Sequence, residues 1–134
     1  MNKVVKILSI ALAGIGLAAC NTPVDLNGAW NIVEVNGEQI TAVEEAPFIE
    51  FDTENQRVHG NTGVNIMNGS YTLDGEKLSL GRMATTMMAG PMEAMETERT
   101  ILQTIEKSAK VKAEGEDLQI LDADGNVIML LRKK

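Results

Sequence analysis

The chain has 134 residues, 12 Lys and Arg against 19 Asp and Glu, a formal charge of −7 and one cysteine, Cys20. That length suits a single domain with one small core. The acidic balance repels phosphate backbones, which excludes nucleic acid as an expected partner, and a lone cysteine excludes both a disulfide framework and a cysteine-based zinc site.

Residues 1–20, MNKVVKILSIALAGIGLAAC, begin with Lys3 and Lys6, continue through an apolar run from Ile7 to Leu17 and end in small residues at Cys20. This order predicts a secretory signal. An apolar run of about eleven residues rises about 16 Å as a helix, roughly half the hydrocarbon thickness, so the segment is expected to be cleaved or lipid-linked and not to span. Leu17-Ala18-Ala19-Cys20 resembles a bacterial lipobox, in which the chain is cut before a cysteine that already carries a diacylglyceryl thioether. The predicted division is a signal peptide over 1–19, a lipidated tether over 20–26 and a domain over 27–134. Acylation at Cys20 would anchor the chain stably, since each buried methylene contributes about 0.8 kcal/mol. Asn21 follows the cysteine where Asp would mean inner-membrane retention. The sorting rule therefore implies an outer-membrane lipoprotein facing the periplasm or the surface. Losing the signal removes two lysines and no acid, so the mature chain is more acidic still.

Short alternating segments separated by turn dipeptides fill most of the remaining sequence, the pattern of antiparallel sheet. Trp30 to Val35 is predicted as a strand, Asn36-Gly37 as a two-residue hairpin turn, and Ile40 as a member of the returning strand. Phe48 to Phe51 and Arg57 to Gly60 follow, joined by the polar loop from Asp52 to Gln56. Met67 to Leu73 and Lys77 to Leu80 flank Asp74-Gly75. Pro91 to Ser108 lacks internal Gly or Pro and is rich in helix formers, with Pro at an opening position, so it is predicted as a helix. Met95, Leu102 and Ile105 form its expected buried stripe, edged by Met92, Ile101 and Ser108, with Glu93, Glu96, Arg99, Gln103 and Lys107 outward. Lys110 to Glu114, Leu118 to Leu121 and Val127 to Arg132 complete the chain as strands turning at Gly115 and at Asp124-Gly125. The expected class is α+β: a twisted, barrel-like antiparallel sheet with one helix packed on its open face.

Several residues invite a chemical reading. Met83, Met87, Met88, Met92 and Met95 crowd one segment, and thioethers are soft Cu(I) ligands. Core filling is the preferred alternative, because methionine fits irregular gaps and the chain has few aromatics. His59, the sole histidine, has no companion ligand and reads as structural or solvated. Asp122 to Asn126 has the alternating oxygens of a calcium loop without its closing glutamate, so it reads as a turn. Glu44-Glu45 and Glu114 to Asp117 read as solvated acidic turns. No nucleophile, base and orienter set emerges, and no phosphate loop, so neither an enzyme nor a cofactor or metal site is predicted. Gly60 to Tyr71, with three Gly and three Asn, predicts a tight loop leading into a strand.

GNTGVNIMNGSY (60–71) followed by TTMMAGPMEAMETE (85–98), with Leu26-Asn27-Gly28-Ala29-Trp30 ahead of them, resembles the META domain family, also called HslJ-like, of small envelope lipoproteins and secreted domains. The likeness runs from about Leu26 to Arg132. In that family the first motif usually reads Gly-Cys-Asn then Gly-x-Tyr, the second Thr-x-Met-Ala-Cys-Pro, then Met-Glu and a further Glu. Val64 and Gly90 occupy the two cysteine positions, and Met87 stands where the family often has Arg. The resemblance implies that Val64 and Gly90 lie within disulfide reach, with Cα atoms about 7 Å apart or less. It also implies a role in envelope stress without a defined activity. The overall expectation is a non-enzymatic, lipid-anchored interaction domain that binds an envelope protein or a peptide laid along a sheet edge; a methionine-based Cu(I) binder is the alternative.

Overall fold

The computed structural model describes residues 24–41 and 45–134. The predicted signal and Cys20 lie outside the described residues, as does Glu44. Ten strands and one helix follow in order: β1 Gly28–Val35, β2 Glu38–Gln39, β3 Phe48–Asp52, β4 Arg57–Asn61, β5 Ile66–Asp74, β6 Lys77–Leu80, β7 Ala84–Thr85, α1 Met92–Ile105, β8 Lys110–Glu114, β9 Asp117–Leu121 and β10 Val127–Lys133. Among the described residues no helix is long and apolar enough to cross a membrane.

All pairings are antiparallel, and the order β1-β3-β4-β5-β6-β8-β9-β10 returns to β1. The sheet therefore closes on itself as an uneven ring. Its weakest seam is β6–β8, where Lys77 opposite Lys110 is the one register pair, held by backbone bonds from Leu78 to Ala109 and from Val111 to Glu76. One extra residue in β1, between Ile32 and Glu34, and another in β10, between Val127 and Met129, bend those strands around the ring. Closure removes most free edges, so the expectation of a peptide added along a sheet edge loses most of its template.

Local chemistry explains the turns. At Asn36-Gly37 both residues have positive φ, as a type I′ hairpin needs. The next hairpin centres on Gly75-Glu76, one residue beyond the predicted Asp74-Gly75, because Asp74 pairs with Lys77 and Gly75 supplies the positive φ. Ile40 is not in β2, but its amide still donates to the carbonyl of Val33. Gly60 lets β3 and β4 approach: a Cβ there would collide with the backbone carbonyl of Phe48.

Inward-facing residues alternate along the strands, as in Ile49 and Phe51, Val58, and Met67 and Tyr71. Phe51 meets Tyr71 edge-on, centroids 5.2 Å apart. Each such side chain contributes about 1.5–3 kcal/mol on burial. Leu26 belongs to this core although the sequence placed it at the end of the tether, and its carbonyl accepts the Trp30 indole N–H at 2.9 Å. The packed domain thus begins slightly earlier than 27.

The helix packs on the sheet as expected, with a face that shares Ile101 and Ile105 with the predicted stripe but is rotated from it. Ala94, Glu98, Ile101, Thr104 and Ile105 are its buried residues, whereas Met95 and Leu102 are half-buried and Met92 is exposed. The stripe is rotated toward Ala94 and Glu98, because a buried polar contact competes with the apolar pattern at that end. Thr104 Oγ1 accepts from Asn36 Nδ2 at 3.4 Å, tying the helix to the β1–β2 turn.

Candidate functional site

The two sequence motifs, separated along the chain, meet in space around Asn65. This residue follows β4 in the loop before β5, and it is almost wholly buried. Its side-chain oxygen accepts from the Thr86 hydroxyl at 2.8 Å and from the Met88 amide at 2.6 Å. Its side-chain nitrogen donates to the Met88 carbonyl at 3.1 Å and to Glu98 Oε2 at 2.7 Å. All four hydrogen-bonding capacities of one amide are used, which is the requirement for burying it.

Glu98 completes the knot from the helix. Its Oε2 also accepts from the Thr62 hydroxyl at 2.7 Å, so two short bonds converge on one oxygen, in the range of charge-assisted contacts. Thr62 is itself fixed in a turn: its amide donates to the Asn65 carbonyl at 2.9 Å, and its hydroxyl accepts from the Asn65 amide at 3.0 Å. Thr86 then pairs with Ile66 in both directions, amide to carbonyl at 3.0 Å and Ile66 amide to the Thr86 hydroxyl at 3.0 Å. Loop, strap and helix are thereby locked together without any ion pair.

Val64 and Gly90 close the same knot. A Cβ built on Gly90 lies 3.9 Å from the Val64 Cβ, within the Cβ–Cβ range of disulfides. The expectation of adjacency holds, and the Val64 methyls fill the space, 3.3 Å from that Cβ position.

The methionines behave otherwise. Met83 packs against the core, and Met67 and Met129 are sealed within it. Met87, Met88 and Met92, however, are 92%, 60% and 80% exposed, so the core-filling expectation fails for all three. The backbone of the strap is held by Asn65 while the helix turns Ala94 inward, and these three side chains are left outside. Met87, at 92% exposed, is covered by almost no neighbour. With Ile66, at 51%, the three make up four of the five exposed large hydrophobic residues among those described; Val127 is the fifth. All four sit on segments that the knot fastens.

The remaining candidates are structural or solvated. His59 Nε2 lies 3.3 Å from Glu50 Oε1, both half-exposed, on paired positions of β3 and β4. Asp122 Oδ1 accepts from the amides of Asp124 and Asn126, so the tract is a turn. Hydrogen bonds led by the Asn126 amide hold the Asp122 carboxyl below its ordinary range. Asp117 pairs with Arg132 at 3.2 Å, and Glu45 is exposed. Among the described residues no three His, Cys, Asp or Glu are grouped to hold a metal. A polar groove of about 440 Å³ runs between the outer face of α1, at Glu93, Glu96 and Thr100, and the β1–β2 hairpin at Glu38 and Ile40; its facing acids are set by the exposed side of the helix.

Sequence reading missed Thr62, Asn65, Thr86 and Glu98 as a unit. The available signal was spacing: Glu98 falls between Ala94 and Ile101 on the stripe that ends at Ile105, an acid in an apolar phase.

Solved structures share this fold. One determined by NMR is 22% identical, covering 80% of this chain and 89% of its own, with a TM-score of 0.61. A second NMR structure, from Burkholderia xenovorans, is 20% identical, with 84% and 90% covered and a TM-score of 0.63. A crystal structure of a DUF4847 family protein from Bacteroides vulgatus is 10% identical, with 81% and 94% covered and a TM-score of 0.60. No curated protein matches the chain. The META domain model matches residues 22–134, the whole of the domain built around this knot, and the chain belongs to the META domain family.

Proposed function

We propose that this META domain is a non-enzymatic, lipid-anchored interaction module of the cell envelope, tethered through Cys20 to the outer membrane and serving under envelope stress. Its contact surface is the apolar rim of Ile66, Met87, Met88 and Met92, and its partner is an envelope protein or peptide with a complementary apolar face. One observation carries the reading: large apolar side chains, which cost free energy in water, are displayed on segments that the hydrogen-bond knot fastens to one another. A fastened backbone loses less entropy on association. The closed ring favours this surface over strand addition, since few backbone edges remain to pair.

The test uses the full-length chain in intact cells with a photo-reactive residue at position 87 or 92, and at 127 as a control. Discrete cross-linked species are expected from 87 and 92, lost when Ile66, Met88 and the remaining rim methionine become Ser, and absent from 127. Equal patterns from all three positions would overturn the rim as contact surface. The anchor is tested separately: Cys20→Ser should abolish labelled-palmitate incorporation and release the chain from the membrane fraction, and retention of both would refute lipidation.

A further inference from the structure

The methionines divide by accessibility into two chemical populations. Met67 and Met129 are 0% and 2% exposed, while Met87, Met88 and Met92 project into solvent. Cys20 is the chain's only cysteine, so throughout the domain the oxidisable sulfur is thioether sulfur. The three exposed thioethers hang from a backbone held independently of them: Thr86 and Met88 by Asn65, and Met92 by its place at the start of α1. None of these three side chains belongs to the buried core or packs against it, so chemistry there leaves core packing in place, unlike at Met67.

We propose that Met87, Met88 and Met92 form a reversible oxidation site that converts the rim from apolar to polar while leaving the fold intact. The oxidant class is a small neutral peroxide, which the acidic domain does not repel. A sulfur lone pair attacks one peroxide oxygen; an S–O bond forms, the O–O bond breaks, and the departing oxygen leaves as water after taking up the proton of the transferred one. The sulfur is oxidised by two electrons to a sulfoxide and the peroxide is reduced to water. Each sulfoxide puts a strong hydrogen-bond acceptor where a partner would need an apolar surface. A sulfoxide reductase restores the thioether with two thiols, which are oxidised to a disulfide while the sulfoxide oxygen leaves as water. The oxidation site stands on the exposures alone; its effect on binding rests on the rim being the contact surface proposed above.

Full-length chain treated with hydrogen peroxide and mapped by peptide mass spectrometry should gain oxygen at 87, 88 and 92 at least about ten-fold faster than at 67 and 129. Its melting temperature should stay unchanged. Comparable rates at Met67 or Met129, or a melt that falls with the first oxygens, would overturn the site. In the cross-linking assay with the reactive residue at 92, peroxide should abolish the specific species, and reductase with dithiothreitol should restore them. The Met87→Leu, Met88→Leu variant, apolar but resistant, should keep them after peroxide. Undiminished cross-linking of the oxidised chain overturns the switch while sparing the contact surface. No specific species before oxidation overturns the contact surface, and the mass-spectrometric rates still decide the oxidation site.

Discussion

The two halves of α1 are anchored by opposite kinds of chemistry. Toward the C-terminal end, Ile101 and Ile105 are fully buried in the core, and the attachment is mainly non-directional, with one long bond from Asn36 Nδ2 to Thr104 Oγ1 at 3.4 Å beside it. Toward the N-terminal end, small Ala94 faces inward and the grip comes from Glu98, held through one oxygen by Thr62 and Asn65. An apolar anchor fixes how deep the helix sits. A carboxylate gripped by two donors also fixes its rotation, because hydrogen bonds weaken steeply when misaligned. That rotation is what turns Met92 outward and places the strap of 85–90 beneath the rim.

The comparison breaks most visibly at the apolar end. Ile101→Ala or Ile105→Ala is expected to cost about 2–5 kcal/mol, by lost transfer energy and a cavity that cannot collapse. Denaturant titration should show a lower midpoint with the slope unchanged. Core loss loosens depth and not orientation, so Val64 and Gly90 should stay adjacent in whatever remains folded.

At the polar end the expected cost is about 3 kcal/mol for Asn65→Ala, which strands the Thr86 hydroxyl, both backbone groups of Met88 and half of the bonding to Glu98. Glu98→Gln should be milder, about 1 kcal/mol, since an amide oxygen can still accept from Thr62 and Asn65. The distinguishing readout is local: Asn65→Ala should speed amide exchange at Met88 and Thr86 far more than in β9 and β10, and uniform acceleration would refute a local knot. In the opposite direction, Val64→Cys with Gly90→Cys should close a disulfide on oxidation and stabilise the domain by up to about 3 kcal/mol, the loop-closure value for a loop of this size. Dithiothreitol should remove the gain. Failure of the pair to cross-link would contradict the 3.9 Å spacing.

These differences also mark what the sequence could disclose. Turn dipeptides and period-two alternation are local signals, so β1 and the strands from β3 to β10 were readable, apart from the two-residue β7, which is too short to alternate. Ring closure was only suggested, since β1 pairing with β10 depends on residues about a hundred positions apart. The helix was legible and its buried face was not. Hydrophobic periodicity counts Met95 and Leu102 as inward candidates and passes over Glu98 because it is charged, since it cannot register that Asn65 supplies a donor there. The methionines misled for the same reason: composition gives the residue's tendency toward burial, whereas the pinned backbone of 86–90 decides its exposure. The adjacency of Val64 and Gly90 was legible through the family likeness, not through any property of Val or Gly.

The smallest expected effect lies far from the knot, in turns that also use side-chain oxygens to hold the backbone. Asp52 is held below its ordinary value of 3.8 chiefly by the Asn55 side-chain amide, then by the backbone amide of Asn55; the Asp122 carboxyl is lowered first by the Asn126 amide. A carboxylate lowered in the folded state stabilises it fully above 3.8, and that contribution disappears as pH falls through the depressed folded value. Melting temperatures should therefore drop more steeply below pH 3.8 in the wild-type chain than in Asp52→Asn with Asp122→Asn, whose side chains do not titrate. Both residues lie at the surface and are only partly buried, so water and salt screen the effect and the difference in slope should be slight. Parallel acid limbs would show that these turns are held by their backbone alone, in contrast to the loop of 62–65, the strap of 85–90 and α1, which the buried oxygens of Asn65 and Glu98 fasten together.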